Sequence, residues 1–137
     1  MRRIIEVATH DREELVDITL QVEGVVRECG PPDGLVSVYV QGATAGIMIQ
    51  ENWDDSVPRD VVRLLRDAIP RGVWEHDAQD GNGDSHLKSG LVGPSETIPL
   101  MDGRLGLSTW QGLFLCEFDG PRQRRSVVCT VLADGFD

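Results

Sequence analysis

The side chains with most capacity for chemistry crowd into one segment, GVWEHDAQDGNGDSHLKSG at positions 72–90. It holds two of the chain's three histidines, His76 and His86, its only lysine, Lys88, and the carboxylates Glu75, Asp77, Asp80 and Asp84. Three chemistries are open to such a set. Asp80, Asn82 and Asp84 imitate the first ligands of a calcium-binding EF-hand loop, but that loop needs glycine at its sixth position and a bidentate glutamate at its twelfth. Ser85 and Leu91 stand there instead. His76 and His86 are spaced for opposite sides of a loop and could share a metal if a third ligand came from elsewhere. Lys88, Ser89 and Ser95, with Gly90 and Gly93, could meet a phosphate through an ammonium, hydroxyls and backbone N–H groups. The plain alternative is a solvated turn whose histidines are steadied by neighbouring carboxylates.

The elements that must position this segment can be read from periodicity. Residues 3–8 read as a first strand, the run at 35–41 alternates, and 45–50 follows after a short break, the latter two as strands of one sheet. Ile18, Val22, Val25, Val26 and Cys29 recur at helical spacing, with Asp17 as an N-cap and Gly30 as the stop before Pro31 and Pro32. A second helix has Ser56 as its cap, Pro58 in its first turn and Val57, Val61, Leu64, Leu65 and Ala68 on one face, and Pro70 and Gly72 end it. From 97 onward TIPL, RLGLS, GLFLCEF and RRSVVCTVL read as strands, and Asp-Gly pairs at 102–103 and 119–120 favour tight turns. Two main helices among about seven strands, largely paired as antiparallel sheets, give a single α+β domain over residues 1–137.

Composition narrows the partners. Twenty-three acidic against 13 basic residues leave a net charge of −10, a field that repels nucleic-acid phosphates and anionic membrane surfaces. No apolar stretch approaches the ~20 residues of a membrane span, and the basic N-terminus turns acidic too soon for a signal peptide. Cys29, Cys116 and Cys129 lack CxxC spacing and read as free thiols of a cytoplasmic protein.

The C-terminal half is more specific. SHLKSGLVGPSETIPLMDGRLGLSTWQGLFLCEFDGPRQR, together with QENWDDSVPRD and WEHD, resembles the YjbQ-like family, also called the secondary thiamine-phosphate synthase family. Its members carry a histidine-lysine-serine segment, Gly-x-Ser before an Ile-Pro strand, a Gly-Thr-Trp-Gln turn and Asp-Gly-Pro-Arg. The resemblance covers most of residues 35–131. It implies an α+β domain assembling as a homotrimer, with a site near the subunit boundary. It also implies transferase activity, the joining of a hydroxymethylpyrimidine diphosphate to a thiazole phosphate with release of pyrophosphate. Carried over by position, His76, His86 and Glu51 are the catalytic candidates. Asn52, Asp77, Lys88, Ser89, Ser95, Arg104, Thr109, Trp110, Gln111 and Arg122 are the substrate-binding ones.

Two positions depart from the family. Gly42-Ala43-Thr44-Ala45 stands where members have His-Thr-Ser-Ala or His-Thr-Thr-Ala, and Ser108 replaces a glycine before Thr-Trp-Gln. With Gly42 in place of a third histidine, a zinc ion held by His76 and His86 needs Glu51, Asp77 or water to complete its tetrahedron. Departing pyrophosphate builds negative charge that Arg104, Lys88 and Arg122 are the candidates to meet, while Arg124 and Arg125 read as a solvated basic turn. Trp110 either stacks on a substrate ring or lies in the core, and Gln111 either reads a ring edge or fastens its turn. The other reading is a non-catalytic trimeric domain that binds a phosphorylated or anionic small metabolite. His10 has no assigned part in either.

Overall fold

The structure, a computed structural model, describes residues 1–135. Its eight strands are β1 (Arg2–Val7), β2 (Glu14–Asp17), β3 (Gly34–Val40), β4 (Ala45–Glu51), β5 (Ser95–Met101), β6 (Arg104–Leu105), β7 (Gln111–Glu117) and β8 (Arg125–Ala133). The helices are α1 (Thr19–Cys29), α2 (Ser56–Ala68) and α3 (Gly83–Val92), with a single 3-10 turn at Glu75–Ala78. The strands form a five-stranded sheet ordered β1-β8-β3-β5-β6 and a three-stranded sheet ordered β2-β7-β4, all antiparallel. The fold is α+β.

Burial explains the layering. Val36, Val38 and Val40 of β3 alternate inward with Val127, Cys129 and Val131 of β8 and meet Ile47, Leu113 and Leu115 from the smaller sheet. Val22, Val25 and Val26 of α1 enter the same core. The opposite face of the smaller sheet is also covered: Cys116 and Phe118 lie with Leu65 of α2, backed by Met48, Val61 and Val92. That double covering is why β7 reads as a continuous apolar run rather than an alternation. Among the described residues the outer face of the five-stranded sheet has no such cover, and Ile4, Leu35, Tyr39 and Leu132 are exposed on it.

The stop of α1 falls where expected, but the caps shift: Ile18 rather than Asp17 is the N-cap of α1, and Asp55 rather than Ser56 that of α2. Asp17 Oδ1 accepts from both the backbone N–H and the hydroxyl of Thr19, and Gly30 ends α1 in the left-handed region at φ 81°. At α2 the work expected of Ser56 is done by Asp54, whose Oδ1 accepts from the Ser56 N–H. Asp102 and Gly103 both have positive φ, 54° and 76°, the geometry of a tight hairpin turn between β5 and β6.

Four expectations are corrected. β3 and β4 are not neighbours in one sheet, because residues 41–44 carry the chain from the large sheet to the small one. Asp119-Gly120 is no hairpin turn, since β7 and β8 also belong to different sheets. The short strand β2 was not foreseen. Most consequential, residues 83–92 form a third helix where the sequence read as a loop. Its glycines and serines are poor helix formers. Tertiary contact decides the matter: Ser85 Oγ donates to the Phe118 carbonyl and Ser89 Oγ to the Ala45 carbonyl. A side chain at Gly46 would stand 2.9 Å from both the Gly93 carbonyl oxygen and Val92 Cγ1, so glycine there lets the end of α3 lie directly on β4.

Candidate functional site

The candidate residues separate into two groups at opposite ends of β4. Ala45 anchors α3 and Glu51 pairs with Gln111. The seven residues between them inclusive span about 20 Å at the usual rise of a strand.

At the α3 end, folding the segment into a helix turns Lys88 inward. It is 1 % exposed, and its Nζ donates to Asp84 at 2.7 Å and to Glu13 at 2.9 Å. Arg12 brackets Asp84 from the other side at 3.0 Å, and Arg66 holds Glu13 at 3.1 Å. Burial by itself raises the Asp84 and Glu13 carboxyls. Hydrogen bonds from Arg12 and Lys88 to Asp84, and from Lys88 and Arg66 to Glu13, outweigh it and hold both below the ordinary carboxylate range. Lys88 is thus the centre of a closed ion network and does not face an incoming anion. Ser89, bonded to Ala45, is likewise a fastener.

The side chains of the would-be calcium loop diverge to separate partners: the Asp80 carboxylate toward His76, the Asn82 amide donating to Asp119, and the Asp84 carboxylate into the ion network. Asp77 accepts from the backbone N–H groups of Trp74 and Gly83, two bonds that lower its carboxyl and pin the 3-10 turn. Arg122 is folded back on Asp119. His10 is exposed, its N–H held by Glu14.

The structure does bring His76 and His86 together, their rings edge to face with centroids 4.7 Å apart. The ligands expected to complete a zinc tetrahedron do not join them: Asp77 is engaged by backbone, and Glu51 lies at the far end of β4. Among the described residues no cluster of three His, Cys, Asp or Glu side chains converges on a point. The donor set therefore does not fit zinc in the expected form. Gly42 and His86 do line a common cavity of about 600 Å³.

The other end of β4 is open. Asn52 Nδ2 donates to Asp17 Oδ2 at 3.2 Å, and a side chain at Gly112 would collide with Asn52, so glycine there permits its placement. Gln111 Oε1 accepts from the Ser108 N–H at 2.9 Å, fastening the turn. Asp17, Asn52, Thr109 and Gln111 line a cavity of about 570 Å³. Beside it lies a second cavity of about 440 Å³ lined by Arg27 and Arg104, and the two share Glu23 and Leu105 as a common wall. Among the described residues neither arginine is in an ion pair. Trp110 is 52 % exposed rather than core and stands edge to face with the exposed Trp53 at 5.1 Å. Ser95 belongs to neither group; it lines a shallow groove on the uncovered sheet face with Arg2, Ser37 and Tyr39.

This geometry recurs in known proteins. Residues 3–134 match the family described as UPF0047 protein YjbQ-like. The chain belongs to the YjbQ-like UPF0047 family. It is 46 % identical to UPF0047 protein MJ1081 of Methanocaldococcus jannaschii, covering 90 % of this chain and 88 % of that protein. To UPF0047 protein YugU of Bacillus subtilis it is 41 % identical over 90 % of this chain and 94 % of the relative. A YjbQ-like protein from Sulfolobus solfataricus superposes with a TM-score of 0.94 at 32 % identity, covering 98 % of this chain and 97 % of the other. Protein APE1520 of Aeropyrum pernix gives 0.93 at 34 % identity, covering 98 % and 99 %. The family expected from the C-terminal motifs is the one that matches, and the fold is shared with its solved members.

Sequence reasoning missed Arg27 and Asp17 as groove residues. Arg27 looked like an ordinary basic residue in the last turn of α1, and only the approach of the β5–β6 turn makes it a neighbour of Arg104.

Proposed function

We propose that the chain binds a small phosphorylated heterocycle along the paired cavities at the open end of β4. The observation that carries this reading is their shared wall. It joins an end lined by Asp17, Asn52 and Gln111 to an end bearing two arginines that make no ion pair among the described residues, in a protein of net charge −10. Carboxylate and amide oxygens accept from amino groups and protonated ring nitrogens. Guanidinium forks suit phosphate oxygens. Trp110, on the rim, supplies an aromatic face.

The reaction implied by the family resemblance fits that polarity. A thiazole nitrogen attacks the pyrimidine methylene, the C–O bond to the diphosphate breaks, and pyrophosphate leaves with the electron pair. Arg27 and Arg104 would meet the charge on the departing group, a role that needs only fixed positive charge where charge develops. No step is routed through a metal. In the family's trimer, which the exposed apolar residues on the outer sheet face would favour, the histidines of one subunit could approach the groove of another. The non-catalytic alternative is favoured by one observation: within a single chain, His76, His86 and Glu51 do not converge.

The test is titration with the hydroxymethylpyrimidine diphosphate, read by tryptophan fluorescence, followed by a pyrophosphate-release assay with the thiazole phosphate. Saturable binding with release establishes the transferase, and binding without release establishes the metabolite-binding domain. Absence of binding, or binding indifferent to Arg27→Ala and Arg104→Ala, overturns the assignment. Light scattering checks the trimer.

A further inference from the structure

Arg125, expected on a solvated turn, is buried against Glu117 and committed to the fold. The exposed side chains that stand out are aromatic. Of the chain's three tryptophans, Trp74 is fastened, its Nε1 donating to the Pro70 carbonyl at 2.7 Å. Trp53 and Trp110 are not: Trp53 is 72 % exposed, Trp110 is exposed over half its surface, and among the described residues neither indole N–H makes a hydrogen bond. Tryptophan is highly buried on average, so two left open side by side mark a contact surface. The backbone fixes their placement. Glu51 pairs with Gln111 at the end of the β4–β7 ladder, and one step beyond it the Asn52 N–H donates to the Trp110 carbonyl at 3.1 Å.

The two rings stand at 90° with centroids 5.1 Å apart. In this arrangement the edge of one meets the face of the other, and the remaining indole faces bound a right-angled corner. Each face carries the negative lobe of the ring quadrupole, so the corner attracts positive charge. The neighbouring sequence has the matching sign. Glu51, Asp54 and Asp55 flank Trp53, and no basic residue lies within five positions of either tryptophan. Among the described residues none of these three carboxylates is in an ion pair. We propose that the Trp53–Trp110 corner binds an organic cation with a quaternary nitrogen, the trimethylammonium head of a small metabolite. Such a head has no N–H to satisfy, is less strongly hydrated than a lysine-type ammonium and presents methyl groups to the ring faces. The site shares only Trp110 with the rim of the groove and stands whether or not the groove takes a heterocycle.

The test titrates choline into the full chain while ¹⁵N spectra follow the three indole N–H resonances and calorimetry follows affinity. The uncharged isostere of choline, with carbon in place of the quaternary nitrogen, is the control. The corner predicts saturable shifts at Trp53 and Trp110 with Trp74 unmoved, and weaker binding of the isostere. Trp53→Ala should weaken choline binding about threefold to thirtyfold, the range of a cation–π contact. Trp53→Phe, which keeps an aromatic face, should fall between that variant and wild type. Trp53 is exposed, so the melting temperature of both variants should stay that of wild type. Choline that fails to saturate, an isostere that binds as well as choline, or affinity indifferent to Trp53→Ala overturns the proposal.

Discussion

The two ends of β4 hold similar side chains in opposite conditions. At the α3 end Lys88, Arg12 and Arg66 are bonded to Asp84 and Glu13. At the other end Arg27 and Arg104 line an open groove and, among the described residues, make no ion pair. A buried cation with two carboxylates is a fastener, since removing one partner leaves uncompensated charge in a poorly hydrated place. An exposed cation beside a cavity contributes little to folding and remains available to a ligand. The same kind of charge is therefore committed to the fold in one place and left unpaired among the described residues in the other, and the deciding variable is which element covers it.

The sharpest way to break this contrast is Lys88→Ala. It should cost about 3–5 kcal/mol of stability, the range for breaking a buried ion pair, measured by denaturant unfolding. Arg104→Ala should stay within about 0.5 kcal/mol of wild type. Comparable losses would dissolve the distinction.

Acid should act on the same end. Asp84, Glu13 and Glu117 all lie below their ordinary values because, despite burial, hydrogen bonds from arginine and lysine favour the charged form. Their stabilisation is complete above the unfolded-state values near pH ~4 and is lost as pH falls through the lower folded-state values. Melting temperatures recorded from pH 7 downward should hold to about pH 5 and then fall. Lys88→Ala should shift less in the acid range.

In the groove, Arg27→Ala and Arg104→Ala should each weaken binding of the pyrimidine diphosphate about tenfold to a hundredfold, as charge-assisted hydrogen bonds of about 1.5–3 kcal/mol imply, with the fold unchanged by circular dichroism. The smallest effect concerns the layer under α2 and α3. Burial pushes the Cys116 thiol up to about 12, and burial with the neighbouring Cys29 pushes Cys129 to about 11. Alkylation of the native protein at pH 8 should reach Cys29 alone. Early labelling of Cys116 would show that the α3 end opens more readily than its ion network implies.

Much of the architecture was legible because it depends on local rules. The alternation in β3 and β8, the Gly30 stop of α1, the apolar face of α2 and the Asp102-Gly103 turn are each encoded within a few residues. The site was legible only as a set of residue types. The order of motifs brought the right family, yet it placed Lys88 and Ser89 before a ligand when both are fasteners. It also grouped Glu51 with histidines that belong to the other end of β4.

The sequence by itself determined where strands and helices with strong periodicity lie, the net acidity of the chain, and membership in the family. Tertiary structure decided that residues 83–92 are helical, that β3 and β4 part into different sheets, that Arg125 is buried while Trp110 is not, and that Arg27 stands beside Arg104. The physical reason is range. Backbone preference acts over a few neighbours, whereas the cost of burying an unpaired charge is settled only when distant segments close over it, as Glu13 does for Lys88 across 75 positions.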